Sequence, residues 1–520
     1  MNAQLTFALL PDFVVATGAL VILLLAAGRR DDDVAASRGA ALGAVAVCVA
    51  ALAAVALLAW RGAGALVAAD APVAADGFRW AADAVILVGT ALCALLVGDD
   101  ARSDRPVPAE TFALMLLSAS GMMLLAGARD LVLVFLGVEL TSIPVYVLAG
   151  MDRRSPRSAE AALKYFLLGA FSTAFLLYGV ALVYGATGAT NLLAIGARAA
   201  TPGVVPEAVL WLGTGFMLVG FAFKVAAAPF HMWTPDVYEG APTAVTAFMA
   251  AAVKAGAFAA FARVFLEAFS PAANHWHQVL WYVAVLTMVG GNVVALAQRN
   301  VKRMLAYSSI AHAGYLTVAL VTNDGRGGSA IVFYLFAYTL ATVGAFACLQ
   351  ALGGSAAGAD RLDAWSGLYA VRPRLAAAMA VFMLALLGFP IAGGLGFFAK
   401  WYLVQTALGA VNTFGAPVPQ TRLAVWLVLA SVVSAGYYLY LVSVMFMRRR
   451  PADAAEPPPA GRWTAGVVAV CAVLLLALGL YPTPVVRLAQ AAALQPSTGG
   501  PRVPGAIPAP PSTTALLGGR

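Results

Sequence analysis

Charged residues are scarce in this chain, and their scarcity excludes a soluble protein. Only 11% of the 520 residues are Asp, Glu, Lys or Arg, whereas 62% are hydrophobic, and the mean hydropathy is +0.87. The surface of a soluble protein of this size must face water and needs more charge than this. The apolar runs reach about 20 residues and more, which is long enough to cross a bilayer as helices. We therefore predict an all-α polytopic membrane protein.

The residues that hold metals and redox groups are also few. The four cysteines, Cys48, Cys93, Cys348 and Cys471, are isolated within apolar runs, and we interpret them as packing residues. The sequence has no CxxC pair, no Cys/His cluster with metal-ligand spacing, no GxGxxG turn that opens a helix after a strand and no GxxxxGK[ST] loop. We predict no nucleotide, iron–sulfur, haem or metal site in this chain. The net charge of +8 arises largely from arginines in short loops between spans, a pattern typical of membrane orientation rather than nucleic-acid binding.

The apolar runs predict fourteen membrane spans. Their approximate limits are 7–28, 39–60, 80–98, 108–127, 130–150, 160–184, 208–229, 242–268, 276–297, 304–322, 328–352, 375–409, 423–446 and 463–481. On the two sides of the membrane the loops and the tail together carry eighteen and nine Lys or Arg residues. Cytoplasmic loops carry the excess of positive charge, so the richer side is predicted to be cytoplasmic, and an even number of spans leaves both termini outside.

Two spans are interrupted by helix-breaking residues. Pro229 lies at the end of the seventh span, and the twelfth span, 35 residues long, contains Pro390, Gly393 and Gly394. A broken helix is tolerated in a membrane only where it is buried or lines a hydrated cavity. The two interruptions are five spans apart, and an offset of five spans reverses direction across the membrane. We therefore predict two inverted five-helix repeats, spans 4–8 and 9–13, with broken helices 7 and 12, an arrangement found in transporters.

This organisation divides the chain into five predicted parts. They are three N-terminal spans (1–107), the first repeat (108–269), the second, inverted repeat (270–447), a cytoplasmic loop with span 14 (448–494), and a disordered Pro/Gly-rich tail (495–520).

Five cations fall inside predicted spans, where each charge near the bilayer centre costs about 2.5–3.5 kcal/mol. These cations are Lys164, Lys224, Lys254, Arg263 and Lys400, and Glu139 is the clearest acidic group at similar depth. We predict a proton or ion path through Glu139, Lys224, Lys254 and Lys400. Burial lowers the pKa of an ammonium group in general and a nearby carboxylate opposes that change, so a lysine with a movable carboxylate partner acts as a proton switch.

Other polar residues in or beside the spans leave two interpretations open. Lys164 lies about a turn inside its span. It either belongs to the proton path or snorkels, with its ammonium extended to the membrane interface. Arg263 has Glu267 one turn later, which favours a local ion pair. His231 is either a path residue or an ordinary loop histidine. His312, beside Tyr307, Ser308 and Ser309, either relays protons between the two halves or joins helices by packing contacts.

The segments that carry these residues resemble the antiporter-like membrane subunits of respiratory complex I. The resemblance covers most of spans 4–13. It rests on FKVAAAPFHMWTPDVYEGAPTAVTAF around Lys224, GVEL around Glu139, SSIAHAGY around His312 and GFPIAGGLGFFAKW around Lys400. The wording PDVYEGAPT and the lysine at position 400 are similar to the N-type branch of this family in bacterial NADH:quinone oxidoreductase, rather than to its L and M types.

The resemblance implies a role for each matching residue. Glu139 would pair with Lys224 on the broken seventh helix, Lys254 would be the central relay, and Lys400 would pass the proton toward the external side. The secondary contributors to the water path would be Lys164, His231, Tyr307 and His312.

The resemblance also implies partners, cofactors and location. The chain would lie in the bilayer of the bacterial inner membrane, with both termini periplasmic, beside M-type and small K/J/A-type membrane subunits. FMN, iron–sulfur clusters and quinone would be held by partner subunits, and this chain would carry none of them. The implied function is proton translocation coupled to quinone reduction elsewhere. Two alternatives stay open: a subunit of a multisubunit cation/proton antiporter or membrane-bound hydrogenase, and a non-transporting membrane scaffold.

Overall fold

The described part of the chain is a bundle of long helices. The computed structural model describes residues 3–27, 34–62, 67–68, 70–99, 107–322, 325–353, 358–390, 394–410, 418–451 and 459–494. Within these residues, thirteen helices are long and apolar enough to cross a membrane. Two shorter helices, Pro373–Leu387 and Leu395–Leu408, lie where the twelfth span is predicted. The predicted all-α polytopic membrane fold is therefore confirmed.

The helices follow one another in the order predicted for the spans. The first half contains α1 (Ala3–Ala8), α2 (Leu10–Ala27), α3 (Val34–Trp60), α4 (Gly77–Asp99), α5 (Glu110–Gly127), α6 (Leu131–Ala149), α7 (Pro156–Thr187), α8 (Leu192–Ala199), α9 (Glu207–Lys224), α10 (Thr234–Gly240), α11 (Thr243–Phe248) and α12 (Lys254–Arg263). The second half contains α13 (Ala273–Leu296), α14 (Val301–Val321), α15 (Gly325–Ala351), α16 (Leu368–Val371), α17 (Pro373–Leu387), α18 (Leu395–Leu408), α19 (Thr421–Met447), α20 (Arg462–Leu480) and α21 (Thr483–Ala491). Short 3₁₀ turns occupy Ser270–Ala272 and Leu362–Trp365.

Three spans form the centre of the bundle. The eighth span, Thr243–Ala268, joins α11 and α12 through the π-helical segment Met249–Val253 and ends in a second π-helical segment, Val264–Ala268. In this span, in α14 and in α15, 94% of the residues in the apolar 18-residue window are buried. In α2 and α20 the corresponding share is 28%. The polar residues of the three central spans are therefore shielded from lipid by the surrounding helices. π-Helical turns within α-helices are common at functional sites.

Local features repeat in the two halves of the chain. The carboxylate of Asp130 caps the N-terminus of α6, and the side chain of Asn300 caps the N-terminus of α14. Each capping residue also forms an isolated antiparallel bridge, Asp130 with Asn191 and Asn300 with Arg361, and the same number of residues separates the partners in both bridges. Because α6 and α14 are the fifth and tenth spans, they run in opposite directions. The matching features agree with the inverted repeat.

The seventh span breaks immediately after Lys224. Helix α9 ends at this residue, five positions before Pro229, and the next helix is the short α10. Ala226 has a φ angle of 61°, in the left-handed region that stops a right-handed helix. The indole of Trp233 donates a hydrogen bond of 3.1 Å to the Phe223 carbonyl at the helix end. The break therefore begins closer to Lys224 than the position of Pro229 alone indicates.

The twelfth span is two helices, as predicted. Helix α17 ends at Leu387, Gly388 has a φ angle of 79°, and α18 begins after Gly394, whose φ angle is 49°. Pro390 is exposed in the interruption. Gly393 and the C-terminal tail from residue 495 lie outside the described residues.

Close packing of α5 against α6 supplies a test of the bundle. A β-carbon at Gly121 would lie 2.6 Å from the backbone nitrogen of Thr141, whereas one at Gly185 in α7 would meet nothing within 4 Å. Because the contact is with backbone, Gly121→Ala forces the two helices apart, and we expect a destabilisation of about 1–3 kcal/mol.

The measurement is the thermal unfolding midpoint of the detergent-purified chain. Gly185→Ala is the matched control and should keep or slightly raise the midpoint, because alanine favours helix over glycine. Equal midpoints for the two variants would show that α5 and α6 do not pack as described.

Candidate functional site: a buried polar chain between lysines

Lys224 projects from the broken end of the seventh span toward α6. Its ammonium donates hydrogen bonds to the hydroxyls of Ser142, at 2.8 Å, and Tyr146, at 3.3 Å. It does so rather than forming a direct ion pair with Glu139. Positions 139, 142 and 146 follow a helical period, so the three side chains share one face of α6. Glu139 is close enough to act electrostatically on Lys224. Glu139 and Lys224 thus lie in one site, and the ammonium of Lys224 is hydrogen-bonded to two hydroxyl groups.

Lys254 begins α12 directly after the first π-helical segment and is only 3% exposed. Its ammonium donates to the backbone carbonyl of Ser309 on α14, at 2.6 Å, and to the hydroxyl of the same residue. It also lies over the ring of Tyr338, 5.6 Å from the ring centre. A lysine this deeply buried needs such partners, because it has lost its solvent.

His312 is the centre of a hydrogen-bonded cluster in α14. Its Nε2 is 3.1 Å from the hydroxyl of Tyr438, and its Nδ1 is 2.7 Å from the hydroxyl of Tyr334. The Tyr438 hydroxyl also bonds the hydroxyl of Ser308. The ring of Tyr338, which lies under Lys254, is 4.9 Å from the imidazole centre. A continuous chain of buried polar side chains therefore leads from Lys254 to His312.

The same chain continues from His312 to Lys400. The Tyr315 ring lies 5.4 Å from the His312 ring, and the ammonium of Lys400 lies 4.7 Å over the centre of Tyr315. The Tyr315 hydroxyl accepts a hydrogen bond of 2.8 Å from Asn292, whose carbonyl accepts another of 2.8 Å from Tyr437. Lys254 and Lys400 both act electrostatically on His312. The histidine thus lies between the two predicted lysines.

The break in the twelfth span supplies a partner for Lys400. Its ammonium donates a hydrogen bond of 2.8 Å to the carbonyl of Leu387, the last residue of α17. The carbonyls of a final helical turn have no partner within the helix and carry partial negative charge. Gly388 leaves room for the lysine stem, since a β-carbon there would lie 2.8 Å from Lys400 Cδ.

Lys164 belongs to a cluster of ion pairs at the end of the bundle that is predicted to be cytoplasmic. Its ammonium lies 2.7 Å from both Glu160 and Asp236, and Arg303 lies 2.9 Å from Asp236 and 2.8 Å from Glu239. Burial alone would raise the pKa of Asp236, but its hydrogen bonds with Lys164 and Arg303 lower it. The lysine is 39% exposed at its side chain, so it is an interfacial group rather than a buried one.

Two other predicted residues lie near this end of the bundle. His231 is half-buried in the turn after the seventh span, and burial lowers its pKa. Its Nδ1 has no hydrogen-bond partner among the described residues. Tyr307 lies beside Arg303, whose guanidinium is 5.9 Å from the ring centre. The structure therefore does not bring Tyr307 to the hydroxyl cluster around His312.

Arg263 and Glu267 form the predicted ion pair, at 2.8 Å, within a larger cluster at the opposite end of the bundle, which is predicted to be external. Arg263 also donates two hydrogen bonds to the carboxylate of Asp76, at 2.8 and 2.9 Å. Arg129 contacts both Asp76 and Glu267. Burial alone would raise the pKa of Asp76, but the charge and hydrogen bonds of Arg263 lower it to about 2.

Sequence reasoning missed the aromatic partners and one further charged pair. The partners of His312 and Lys254 on α15 and α19 are Tyr334, Tyr338 and Tyr438. The four-residue spacing of the first two was the available signal, since it places them on one helical face. Arg79 and Asp83 have the same four-residue spacing as Arg263 and Glu267, yet Arg79 lies one position outside the predicted span 80–98. Both are fully buried in α4.

Buried lysines beside interrupted helices, joined by hydroxyls and an imidazole inside a bundle of spans, define an antiporter-like membrane subunit. Residues 128–420 match the family model described as NADH:quinone oxidoreductase/Mrp antiporter, TM. The chain therefore belongs to this family, and its most similar curated relatives place it with subunit N of NADH-quinone oxidoreductase.

Two relatives show how far the similarity extends. The chain is 55% identical over 449 residues to NADH-quinone oxidoreductase subunit N of Gemmatimonas aurantiaca, covering 86% of this chain and 85% of the relative. It is 47% identical over 423 residues to subunit N 1 of Sorangium cellulosum, covering 79% and 81%. The similarity therefore includes the whole polar chain from Lys254 through His312 to Lys400.

Solved structures of related complexes have the same fold. A chain of respiratory complex I from Thermus thermophilus with bound aureothin is 37% identical with a TM-score of 0.74, and the match covers 93% of this chain and 100% of that one. A chain of the Mrp complex from Dietzia sp. DQ12-45-1b is 22% identical with a TM-score of 0.79, covering 95% and 97%. The second likeness shows the fold alone.

The lowered pKa of Asp76 predicts a pH-dependent contribution to stability. A carboxyl whose folded pKa is about 2, against an ordinary 3.8, stabilises the fold fully above pH 4 and loses that effect as the pH falls toward 2. Asp76→Asn should therefore lower the free energy of unfolding by about 2 kcal/mol at neutral pH. The difference from the unaltered chain should shrink below pH 4.

Thermal unfolding midpoints at several pH values between 7 and 2.5 measure this difference. Asp70→Asn is the matched control, since Asp70 is an exposed carboxyl on the same side of the bundle, and its midpoint should follow the unaltered chain throughout. A gap for Asp76→Asn that is the same at pH 7 and pH 2.5 would contradict the assigned ion pairs.

Proposed function

We propose that this chain is a proton-translocating membrane subunit of NADH:quinone oxidoreductase, coupled to quinone reduction in other subunits. The observation that carries the proposal is the buried polar chain from Lys254 through His312 to Lys400. Each of these three groups is able to gain and lose a proton, and each is less than 8% exposed. Ionisable groups at this depth mark ion and proton pathways by default. The identity to subunit N relatives supports the same function.

In the proposed path each lysine changes between ammonium and amine. Glu139 biases Lys224 at the first broken helix, with Ser142 and Tyr146 as the adjoining hydroxyls. Lys254 is the central relay, and Lys400 passes the proton toward the external side. His312 connects the last two lysines through its ring contacts with Tyr338 and Tyr315. Lys164 and His231 are proposed to act at the cytoplasmic end.

Arginine contributes differently from lysine to this arrangement. A guanidinium remains charged in proteins, whereas a buried ammonium is able to release its proton. Arg263 and Arg303 lie in ion-pair clusters near the two ends of the bundle. The three central cations are lysines. This division places fixed charges at the ends and exchangeable protons in the middle.

The finer assignments of location, partners and domains belong to the same proposal. The excess of Lys and Arg on one side supports a bacterial inner-membrane location with periplasmic termini. M-type and small K/J/A-type subunits are the proposed neighbours. FMN, iron–sulfur clusters and quinone are proposed to be held in partner subunits and not in this chain. The five-part division of the chain is proposed with the same boundaries as above.

The alternative of a cation/proton antiporter or membrane-bound hydrogenase subunit shares the fold. The Mrp chain has a TM-score of 0.79, so architecture does not separate the two functions. The identities do favour the first, since they are 55% to a subunit N relative and 22% to the Mrp chain.

Lys254 is the decisive position for the proposed function. Lys254→Ala should assemble into the complex and lose most of the proton pumping coupled to NADH oxidation. Lys254→Arg keeps the positive charge but has no readily released proton, so it should fail as well. The measurement is proton uptake per NADH oxidised in vesicles that contain the purified complex. Arg154→Ala, in an exposed loop, is the control. Normal pumping by either Lys254 variant in assembled complex would refute the relay.

Tyr438 tests the connection between the lysines. Tyr438→Phe removes the hydroxyl that bonds Ser308 and His312. Each of the two lost hydrogen bonds contributes about 0.5–1.5 kcal/mol to stability, so the complex should still assemble, and pumping should fall while NADH binding is unchanged.

The matched control for this change is Tyr440→Phe on the same helix. Tyr440 is exposed, and its hydroxyl accepts a hydrogen bond from Arg448. Its loss should leave pumping as it is in the unaltered complex. The connection through His312 is wrong if the two phenylalanine variants pump equally well.

A further inference from the structure

Trp233 is a buried tryptophan in the turn that follows the broken seventh span. It is 3% exposed and directly precedes α10. Its indole donates a hydrogen bond of 3.1 Å to the carbonyl of Phe223, and the rings of the two residues are 5.3 Å apart. Phe223 is the neighbour of Lys224, which ends α9. The indole therefore holds the piece of backbone from which the Lys224 side chain projects.

A second series of contacts leads from Trp233 to the ammonium of Lys224. The ring of Trp233 is stacked on that of Tyr165 in α7, with centres 4.4 Å apart and planes at 7°. Tyr165 meets the ring of Tyr146 edge to face, with centres 4.8 Å apart. The hydroxyl of Tyr146 accepts the hydrogen bond of 3.3 Å from Lys224. Aromatic rings attract each other in both arrangements. Trp233 is thus linked to the ammonium through two tyrosine rings.

The position of the Tyr146 hydroxyl depends on close packing against α7. A β-carbon at Gly169 would collide with the hydroxyl oxygen, so this oxygen fills the space that a side chain at position 169 would take. The ammonium of Lys224 is 5.8 Å from the centre of the Tyr146 ring. Tyr146 is therefore confined between Gly169 and the edge contact with Tyr165.

An ion pair joins the same two helices beside the stacked rings. Lys164 is next to Tyr165 in α7, Asp236 is one turn after Trp233 in α10, and their charged groups are 2.7 Å apart. Both side chains of this ion pair are more than one-third exposed, and exposed pairs contribute little to stability. Tyr165 and Trp233 are each 3% exposed. The stacked rings are therefore the stronger connection between α7 and α10.

Trp276 has similar contacts at the end of another span. It is 3% exposed, and its indole donates a hydrogen bond of 2.9 Å to the carbonyl of Phe269, just after the eighth span. Its ring is 5.2 Å from that of Phe265 and 6.5 Å from that of His277. These ring and hydrogen-bond partners are not members of the proposed path. Trp276 is therefore a natural control for Trp233.

We infer that Trp233 is a positioning residue for Lys224, an inference that rests on the proposed function. Through the Phe223 carbonyl it fixes the backbone that carries the lysine, and through Tyr165 it fixes the hydroxyl of Tyr146 that accepts the lysine's hydrogen bond. An indole N–H is a donor only, and this one is engaged by a carbonyl. Trp233 thus sets the geometry of the first lysine of the path and exchanges no proton itself.

The test compares Trp233→Leu with Trp276→Leu in the assembled complex. Each change removes one buried indole and one hydrogen bond to a backbone carbonyl, so the thermal unfolding midpoints should fall by similar amounts. The measurement is the rate of proton uptake coupled to NADH oxidation, in vesicles that contain the purified complex, over a range of pH. Trp233→Leu should lose most of this pumping. Its pH profile should shift by about one pH unit, as expected for the loss of one hydrogen bond to a charged group. Trp276→Leu should keep the profile of the unaltered complex.

Tyr146→Phe shows whether the shift arises at Lys224. Glu139 and Tyr146 of α6 are the described titratable groups that act on Lys224, and Tyr165 lies behind Tyr146. Tyr146→Phe removes the hydroxyl, so its pH profile should shift in the same direction as that of Trp233→Leu. Changes that act on one shared interaction are not additive. The double variant should therefore shift no further than the more affected single variant, and a sum of the two shifts would overturn the inference.

Trp233→Phe replaces Trp233→Leu if the latter does not assemble. Phenylalanine keeps a ring for the stack on Tyr165 and removes the N–H that bonds Phe223, so one of the two connections to Lys224 remains. Its pH profile should shift by less than that of Tyr146→Phe and in the same direction. A profile equal to that of the unaltered complex would overturn the inference.

The two proposals fail in distinguishable ways. If Lys254→Ala pumps normally, the proposed function is wrong. If Lys254→Ala is impaired while Trp233→Leu keeps the pH profile of Trp276→Leu, the role of Trp233 alone is wrong.

Discussion

An ammonium group inside a membrane-spanning bundle has to be solvated by protein, and this requirement accounts for the main features of the structure. Lys400 donates a hydrogen bond to the carbonyl that ends α17. Lys254 donates hydrogen bonds to the backbone carbonyl and the hydroxyl of Ser309. Lys224 donates hydrogen bonds to two hydroxyl groups of α6. Two of these lysines lie at or near broken helices and the third follows a π-helical turn. Irregular backbone is therefore found where a cation needs oxygen atoms.

The sequence was sufficient to predict the spans, the broken twelfth helix and the buried lysines. These features depend on local composition, since a long apolar run, a Pro/Gly interruption and a charge within a span are all visible in one window. The same was true of the Arg263 and Glu267 pair. Its spacing of four residues is a local property of a helix.

The sequence did not predict the contacts between segments that are distant along the chain. Tyr334 and Tyr438 bond His312 from α15 and α19, and no local pattern specifies which tyrosine faces a given histidine. Arg79 lies at the edge of an apolar run, one position before the predicted span 80–98. Its burial depends on Asp12, 67 positions away, which supplies the compensating charge. The hydroxyl partners of Lys224, Ser142 and Tyr146, were likewise not predicted from the sequence.

The ion-pair cluster of Arg263 has a mechanical consequence. This one guanidinium bonds Asp76, Glu267 and the carbonyl of Ala126, so it fastens three separate parts of the chain at one end of the bundle. The central lysines are held by only one or two hydrogen bonds each. The ends of these spans are therefore fastened to one another by more bonds than hold any one of the central lysine side chains in place.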